Sequence, residues 1–91
     1  MASIDIRRKH GKTPAEARAL VEKTAHSMST KFGITSHWEG DTLHFHRSGV
    51  KGYIEVTKSE LIVHAELGFL LGAMKPMIER EIEGQIDKRL T

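Results

Sequence analysis

The feature that most constrains the fold is an alternation of apolar and polar side chains that runs, with short interruptions, from Ile34 to Glu66. Apolar residues occupy every second position in four successive short segments, which is the period of a β-strand buried on one face. Gly40-Asp41, Ser48–Gly52 and Lys58-Ser59 separate the segments and have the composition of turns and loops. This part of the chain therefore predicts a four-stranded antiparallel meander with one apolar face.

Two further elements are predicted before the meander. Ile4 and Ile6 alternate with charged residues, so residues 3–9 predict a first strand. Residues 13–16, Thr-Pro-Ala-Glu, are typical of a helix start, because threonine caps, proline suits the first helical position and glutamate completes a capping box. Gly33 suits a left-handed C-terminal cap. The helix between them has an apolar face at three- and four-residue spacing, formed by Ala17, Leu20, Val21, Thr24, Ala25, Met28 and Phe32.

The segment after the meander, residues 67–78, is richer in apolar residues than one face of a helix requires. We predict a helix from Phe69 or Leu70 to Arg89. Pro76 either kinks this helix or marks the start of its regular part, because proline lacks an N–H and crowds the preceding turn. The inner stripe of the helix is predicted to consist of Leu71, Met74, Ile78, Ile82 and Ile86.

Together these elements follow the order β-α-β-β-β-β-α. An antiparallel sheet with two helices packed on one face is the simplest arrangement that buries every apolar stripe, so an α+β fold is predicted. A length of 91 residues fits one domain spanning 1–91, since two cores of half that size would each be too small. The order of the elements leaves the position of the first strand in the sheet open.

Composition narrows the classes of protein. The chain has no cysteine, which excludes disulfides and thiolate metal sites and fits a cytoplasmic location. No apolar run approaches the roughly 20 residues of a membrane span, and the N-terminus lacks the apolar core of a signal peptide. Arg7, Arg8, Lys9 and Lys12 supply much of the net charge of +2. Such a short basic arm is typical of a solvated strand end, so a nucleic-acid partner is not expected.

Four histidines fall on the outer face of the predicted meander: His37, His44, His46 and His64. A two-residue turn would pair His37 with His44. If Leu43 and Phe45 share a face with Ile54 and Val56, His46 would lie opposite Tyr53, and Tyr53 opposite His64. Three of the imidazoles, those at 44, 46 and 64, would bind a divalent metal only if they converged, whereas neighbouring side chains on a sheet stand parallel about 5 Å apart. A solvated polar face without metal or cofactor is therefore the favoured interpretation, and a metal-dependent enzyme is the alternative.

No pattern typical of catalysis is found in the sequence. None of the serines lies in the pattern of a nucleophile elbow. The segment R-S-G-V-K-G at 47–52 could offer backbone N–H groups and two cations, Arg47 and Lys51, to an anion, but it lacks the pattern of a phosphate-binding loop. A plain hairpin loop is the favoured interpretation of this segment. Glu79 and Glu83 are one helical turn apart and have the spacing of solvated carboxylates. The sequence therefore predicts a protein that is not an enzyme and has no catalytic residues.

The apolar residues left over from the helix stripe are the candidate binding residues. Leu70 and Met77 are predicted to lie near one edge of the stripe. Together with Phe69 they either seal the core or form a patch for self-association, an apolar ligand or a hydrophobic particle. A second hypothesis places a ligand cavity between the helices and the sheet, able to accept an acyl or hydroxyacyl group. The lining of that cavity is predicted to include Trp38, Phe45 and Met74.

Several segments of the chain are similar to a known bacterial family. They are I-D-I-R-R-K-H at 4–10, K-F-G at 31–33, W-E-G-D-T-L-H-F at 38–45, R-S-G-V-K-G at 47–52 and L-G-F-L-L-G-A-M-K-P-M-I-E-R-E-I at 67–82. In this order and spacing, which covers nearly the whole chain, they resemble the family of putative polyhydroxyalkanoic acid system proteins. The resemblance implies a non-enzymatic accessory role in polyhydroxyalkanoate storage. Its partner would be a granule surface, a pathway protein or, in a homodimer, a second copy of the chain.

Overall fold

The computed structural model describes residues 2–90, and these form one sheet and three helices. Met1 and Thr91, the ends of the predicted domain, lie outside the described residues. The elements are β1 (Ala2–Lys9), α1 (Pro14–Phe32), β2 (Thr35–Glu39), β3 (Thr42–Arg47), β4 (Val50–Val56), β5 (Glu60–Leu67), α2 (Phe69–Gly72) and α3 (Lys75–Leu90). This order confirms the α+β prediction, except that the C-terminal helix is divided in two.

The sheet is antiparallel, with the strand order β1-β5-β4-β3-β2. The predicted meander is therefore confirmed as β2 to β5, and β1 takes the edge beside β5. Ala2 pairs with Leu67 at one end of β1, and Lys9 pairs with Glu60 at the other. This register brings the isoleucines of β1 onto the same face as the apolar residues of β5, and that face is covered by α1 and α3.

The register of β3 against β4 differs from the prediction by two residues. Two predicted cross-strand pairs are confirmed: His37 with His44 and Tyr53 with His64. The predicted pairing of His46 with Tyr53 is wrong, because His46 pairs with Lys51. The cause is the turn, which consists of Ser48 and Gly49, whereas the sequence predicted a loop over residues 48–52. Gly49 has a φ of 88°, which permits this tight turn.

Helix α1 begins and ends where the sequence predicts. The Thr13 hydroxyl accepts a hydrogen bond from the Glu16 N–H at 3.2 Å, and the Glu16 carboxylate accepts one from the Thr13 N–H at 3.0 Å. Gly33 adopts the left-handed conformation with a φ of 68°. Most of the predicted apolar face is buried, while Ala25 and Phe32 are half-buried. The sequence therefore predicted both the ends and the orientation of α1.

Acid is expected to destabilise the fold, in part through Glu16 and Glu81. Hydrogen bonds from the backbone and side chain of Thr13 lower the pKa of Glu16, and the hydrogen bond from Lys31 lowers the pKa of Glu81. A carboxyl group with a lowered folded-state pKa contributes its full stabilisation above its unfolded pKa and loses it as the pH falls through the folded pKa. In urea unfolding from about pH 7 down to about pH 3, Glu16→Gln should lose less stability than the wild type. Equal losses would contradict this role of Glu16.

The C-terminal segment forms two helices, so the prediction of a single helix from Phe69 or Leu70 to Arg89 is wrong. Helix α2 ends at Gly72 and α3 begins at Lys75. Pro76 lies in the first turn of α3, where its missing N–H costs no helical hydrogen bond, so it marks the start of the regular helix. Of the predicted inner stripe, Ile78, Ile82 and Ile86 are buried, Leu71 is half-buried and Met74 is exposed.

Arg8 connects the edge strand β1 to helix α3 through ion pairs. Its side chain lies on the helix-covered side of the sheet and makes ion pairs with Glu83 at 2.6 Å and Asp87 at 3.1 Å. The hydrogen bonds to these two carboxylates raise the pKa of Arg8. Arg7, on the other face, pairs with Glu60 at 3.0 Å. Two cations of the basic N-terminal arm are therefore engaged within the fold.

Candidate functional site

Four large apolar side chains are exposed at the junction between β5 and α3. Phe69 is 88% exposed, Leu70 84%, Met77 50% and Met74 38%. We call these four residues the apolar patch. The sequence left open whether Phe69, Leu70 and Met77 seal the core or lie on the surface. Their exposure shows that they lie on the surface. Within residues 2–90, no helix combines the length and the apolar composition that crossing a bilayer requires.

The apolar patch is exposed because α2 is a single turn anchored by its inner side. The Gly68 N–H donates to the Gly49 carbonyl at 2.8 Å, which fixes the start of α2 against the β3–β4 turn. The Leu71 side chain turns inward and packs against the core. In a one-turn helix the neighbours of an inward residue must point elsewhere, so Phe69 and Leu70 project into solvent. The backbone that carries them is nevertheless held in place.

An apolar cleft lies between α1, the sheet and the α2–α3 junction. Its volume is about 60 Å³, several times the roughly 10–15 Å³ that a single water molecule needs. Met28 and Phe32 of α1, Phe45 of β3, and Leu71 and Met74 at the α2–α3 junction contribute to its lining. Met74 belongs to both the cleft and the apolar patch, so the patch continues into the mouth of the cleft.

Trp38 lies outside the cleft, contrary to the prediction, whereas Phe45 and Met74 line it. Trp38 is half-buried under α1, where the Arg18 guanidinium carbon lies 3.9 Å from the ring centroid. Its indole N–H donates to the Glu22 carboxylate. The difference arises because α1 crosses the end of β2 that carries the tryptophan. We therefore expect Trp38 fluorescence to respond poorly to events in the cleft.

The outer face of the sheet carries a row of rings that crosses four strands. The ring centroids of His37 and His44 are 5.5 Å apart and those of Tyr53 and His64 are also 5.5 Å apart. The row ends on Asp5 of β1, whose carboxylate lies 2.7 Å from His64 Nδ1. The sequence did not predict this carboxylate because the position of β1 was open. Within residues 2–90, no group of three or more histidine, aspartate or glutamate side chains is arranged to hold a metal ion.

Comparison with protein families decides the membership of the chain. The family model described as "Putative polyhydroxyalkanoic acid system protein" matches residues 4–90. The chain belongs to this family. No curated protein and no solved structure matches it. The resemblance drawn from the sequence segments is therefore confirmed over nearly the whole chain.

The segments that resemble the polyhydroxyalkanoic acid system family meet around the cleft. Four of the five quoted segments contribute lining residues: Phe32 from 31–33, Phe45 from 38–45, Arg47 from 47–52 and Met74 from 67–82. The sequence analysis considered Arg47 only as one of two cations in the 47–52 segment, did not place it at a cavity, and favoured a plain hairpin loop there. The signal that could have placed it at the cleft is the alternation in β3, which puts residue 47 on the same face as Leu43 and Phe45.

Proposed function

We propose that this protein is a non-enzymatic accessory component of the polyhydroxyalkanoic acid system that binds an apolar surface through the apolar patch. The observation that carries the proposal is the exposure of Phe69 and Leu70, at 88% and 84%. Membership of the family supplies the context. The surface would be that of a polyhydroxyalkanoate granule or of a pathway protein in the bacterial cytoplasm. The patch consists of hydrocarbon and thioether groups, which provide binding without acid–base chemistry.

Burial of the apolar patch supplies the driving force. Transferring one such side chain from water to an apolar environment is worth roughly 1.5–3 kcal/mol. The conformational-entropy cost of ordering the backbone on binding is reduced, because Leu71 and the Gly68–Gly49 hydrogen bond already hold the backbone of α2. An amphipathic helix adsorbs to a lipid surface by the same physics. Phe69 and Leu70 would enter the surface, while the polar residues of α3 stay in water.

Sedimentation with polyhydroxyalkanoate particles tests the proposal. The pure protein is mixed with amorphous particles and, as a control, with hydrophilic silica particles of the same total area. We expect saturable depletion of the protein from the supernatant with the polyester alone. An equal loss with silica, or no loss with either particle, would contradict surface binding through the patch.

A second candidate function is binding of an acyl or hydroxyacyl compound. The apolar cleft favours it, since ligand sites are concave and mostly apolar with few polar groups. This function would use Phe45 and Met74 but not Trp38. It is compatible with surface binding, because the patch lies at the mouth of the cleft. A homodimer formed through the patch is the remaining alternative, and sedimentation velocity at several concentrations would detect it.

A further inference from the structure

The cleft has one charged residue in its lining, Arg47, at the end of β3. The other lining residues are almost all hydrocarbon or thioether groups, contributed by α1, the sheet and the α2–α3 junction. Arg47 is exposed, so its guanidinium lies at the mouth of the cleft, where water still reaches it. An apolar interior with a single cation at its mouth matches a ligand with an alkyl chain and an anionic end.

The guanidinium of Arg47 has more hydrogen-bond donors than its one hydrogen bond to the protein uses. It donates one hydrogen bond from Nη1 to the Phe32 carbonyl, at the C-terminus of α1, with a length of 2.7 Å. A guanidinium has five N–H groups, and within residues 2–90 no ion pair joins Arg47 to a carboxylate. Arg8 and Arg18 differ from it, because Arg8 pairs with two carboxylates and Arg18 lies over Trp38 beside Asp41. Arg47 is therefore held in position and can still receive an anion.

We infer that the cleft binds a short-chain carboxylate, with the alkyl chain inside and the carboxylate on Arg47. The cleft volume of about 60 Å³, several times the roughly 10–15 Å³ that one water needs, limits the alkyl chain to a short one. A guanidinium is suited to the carboxylate because it can offer two parallel N–H groups to the two oxygens. The inference deepens the second candidate function and does not depend on surface binding by the apolar patch.

Methionine methyl groups provide the readout. Met28 and Met74 line the cleft, whereas Met77 does not. The protein is labelled with ¹³C at the methionine methyl groups and titrated with hexanoate. We expect saturable shifts of the methyl signals of Met28 and Met74 and a smaller shift at Met77. The same titration with 1-hexanol should shift the same signals, because 1-hexanol also has a six-carbon chain but carries no charge.

Two variants test separately how the alkyl chain and the carboxylate of the ligand contribute to binding. Arg47→Gln should weaken hexanoate binding by about two- to fivefold, as expected for an exposed ion pair, and leave 1-hexanol binding unchanged. Ala25→Leu, which fills the cleft from α1, should weaken both ligands. If this variant does not fold, Ser36→Val fills the lining from β2, where a β-branched residue is favoured.

Three outcomes would overturn the inference. The first is the absence of saturable shifts at Met28 and Met74 with either compound, which would also remove the second candidate function. The second is an equal effect of Arg47→Gln on hexanoate and 1-hexanol, which would show that the arginine does not receive the carboxylate. The third is ligand binding that is unchanged when the cleft is filled. None of them bears on the sedimentation result, so surface binding and ligand binding fail separately.

Discussion

Replacing both Phe69 and Leu70 with glutamate is expected to abolish adsorption to polyhydroxyalkanoate particles without unfolding the protein. These are the two most exposed residues of the apolar patch, and each glutamate would have to lose its hydration to enter an apolar surface. The loss should exceed tenfold in apparent affinity, since the burial of each side chain contributes roughly 1.5–3 kcal/mol. The free energy of unfolding should stay within about 0.5 kcal/mol of wild type, as for other surface substitutions.

The matched control introduces the same charge elsewhere. Ala15 and Ala19 are exposed on α1 and lie outside the patch, so Ala15→Glu/Ala19→Glu changes the net charge by the same amount. Sedimentation of the wild type and both variants with the polyester particles, together with urea unfolding of each, provides the comparison. Equal loss of binding in both variants would show a general charge effect. Unfolding of Phe69→Glu/Leu70→Glu would show that these side chains stabilise the fold.

The substitution Gly52→Ala is expected to be the most destabilising exchange of a glycine. Gly52 lies inside β4, paired with Phe45 on one side and Ala65 on the other. A Cβ at this position would lie 2.1 Å from the His64 carbonyl oxygen and 2.8 Å from the Ala65 Cα. Both atoms belong to the backbone of β5, so two paired strands would have to move apart. The expected loss is at the upper end of the roughly 1–3 kcal/mol typical of overpacking.

Gly84→Ala is the control for Gly52→Ala. Gly84 lies within α3, and a Cβ there would have no neighbour within 4 Å. Because alanine is the better helix former, this variant should be more stable than wild type by roughly 0.5–1 kcal/mol. Urea unfolding of the two variants should therefore shift the midpoint in opposite directions. A Gly52→Ala midpoint equal to that of the wild type would show that β4 and β5 are less closely paired than described.

The elements with strong local signals could be predicted from the sequence. The ends of α1 follow from Thr13, Glu16 and Gly33, whose side chains or backbone conformation satisfy the end of a helix within a few residues. The strands follow from alternation, and the two-residue hairpin turn at Gly40-Asp41 fixes the pairing of His37 with His44. The β3–β4 register was predicted wrongly because glycine is typical of loops, whereas Gly52 lies in a strand.

The sequence also singled out the candidate site residues without placing them. Phe69, Leu70 and Met77 stood out because they exceed what one helix face needs, and whether they were core or surface stayed open. Trp38 and Met74 were both expected to line a cavity, and the structure brings Met74 to the cleft and leaves Trp38 under α1. Arg47 was considered only as one of two cations in a hairpin loop, because a charged residue at the end of a strand usually indicates exposure to solvent.

By itself, the sequence determined the class of fold, the ends of α1, the apolar face of the meander and the family of the chain. Only the tertiary structure decided the place of β1 beside β5, the break before Pro76, the exposure of Phe69 and Leu70, and the cleft below them. The physical reason is the range of the interactions. Periodicity, caps and turns act between residues close in the chain, whereas the burial of a side chain depends on the distant segments that pack against it.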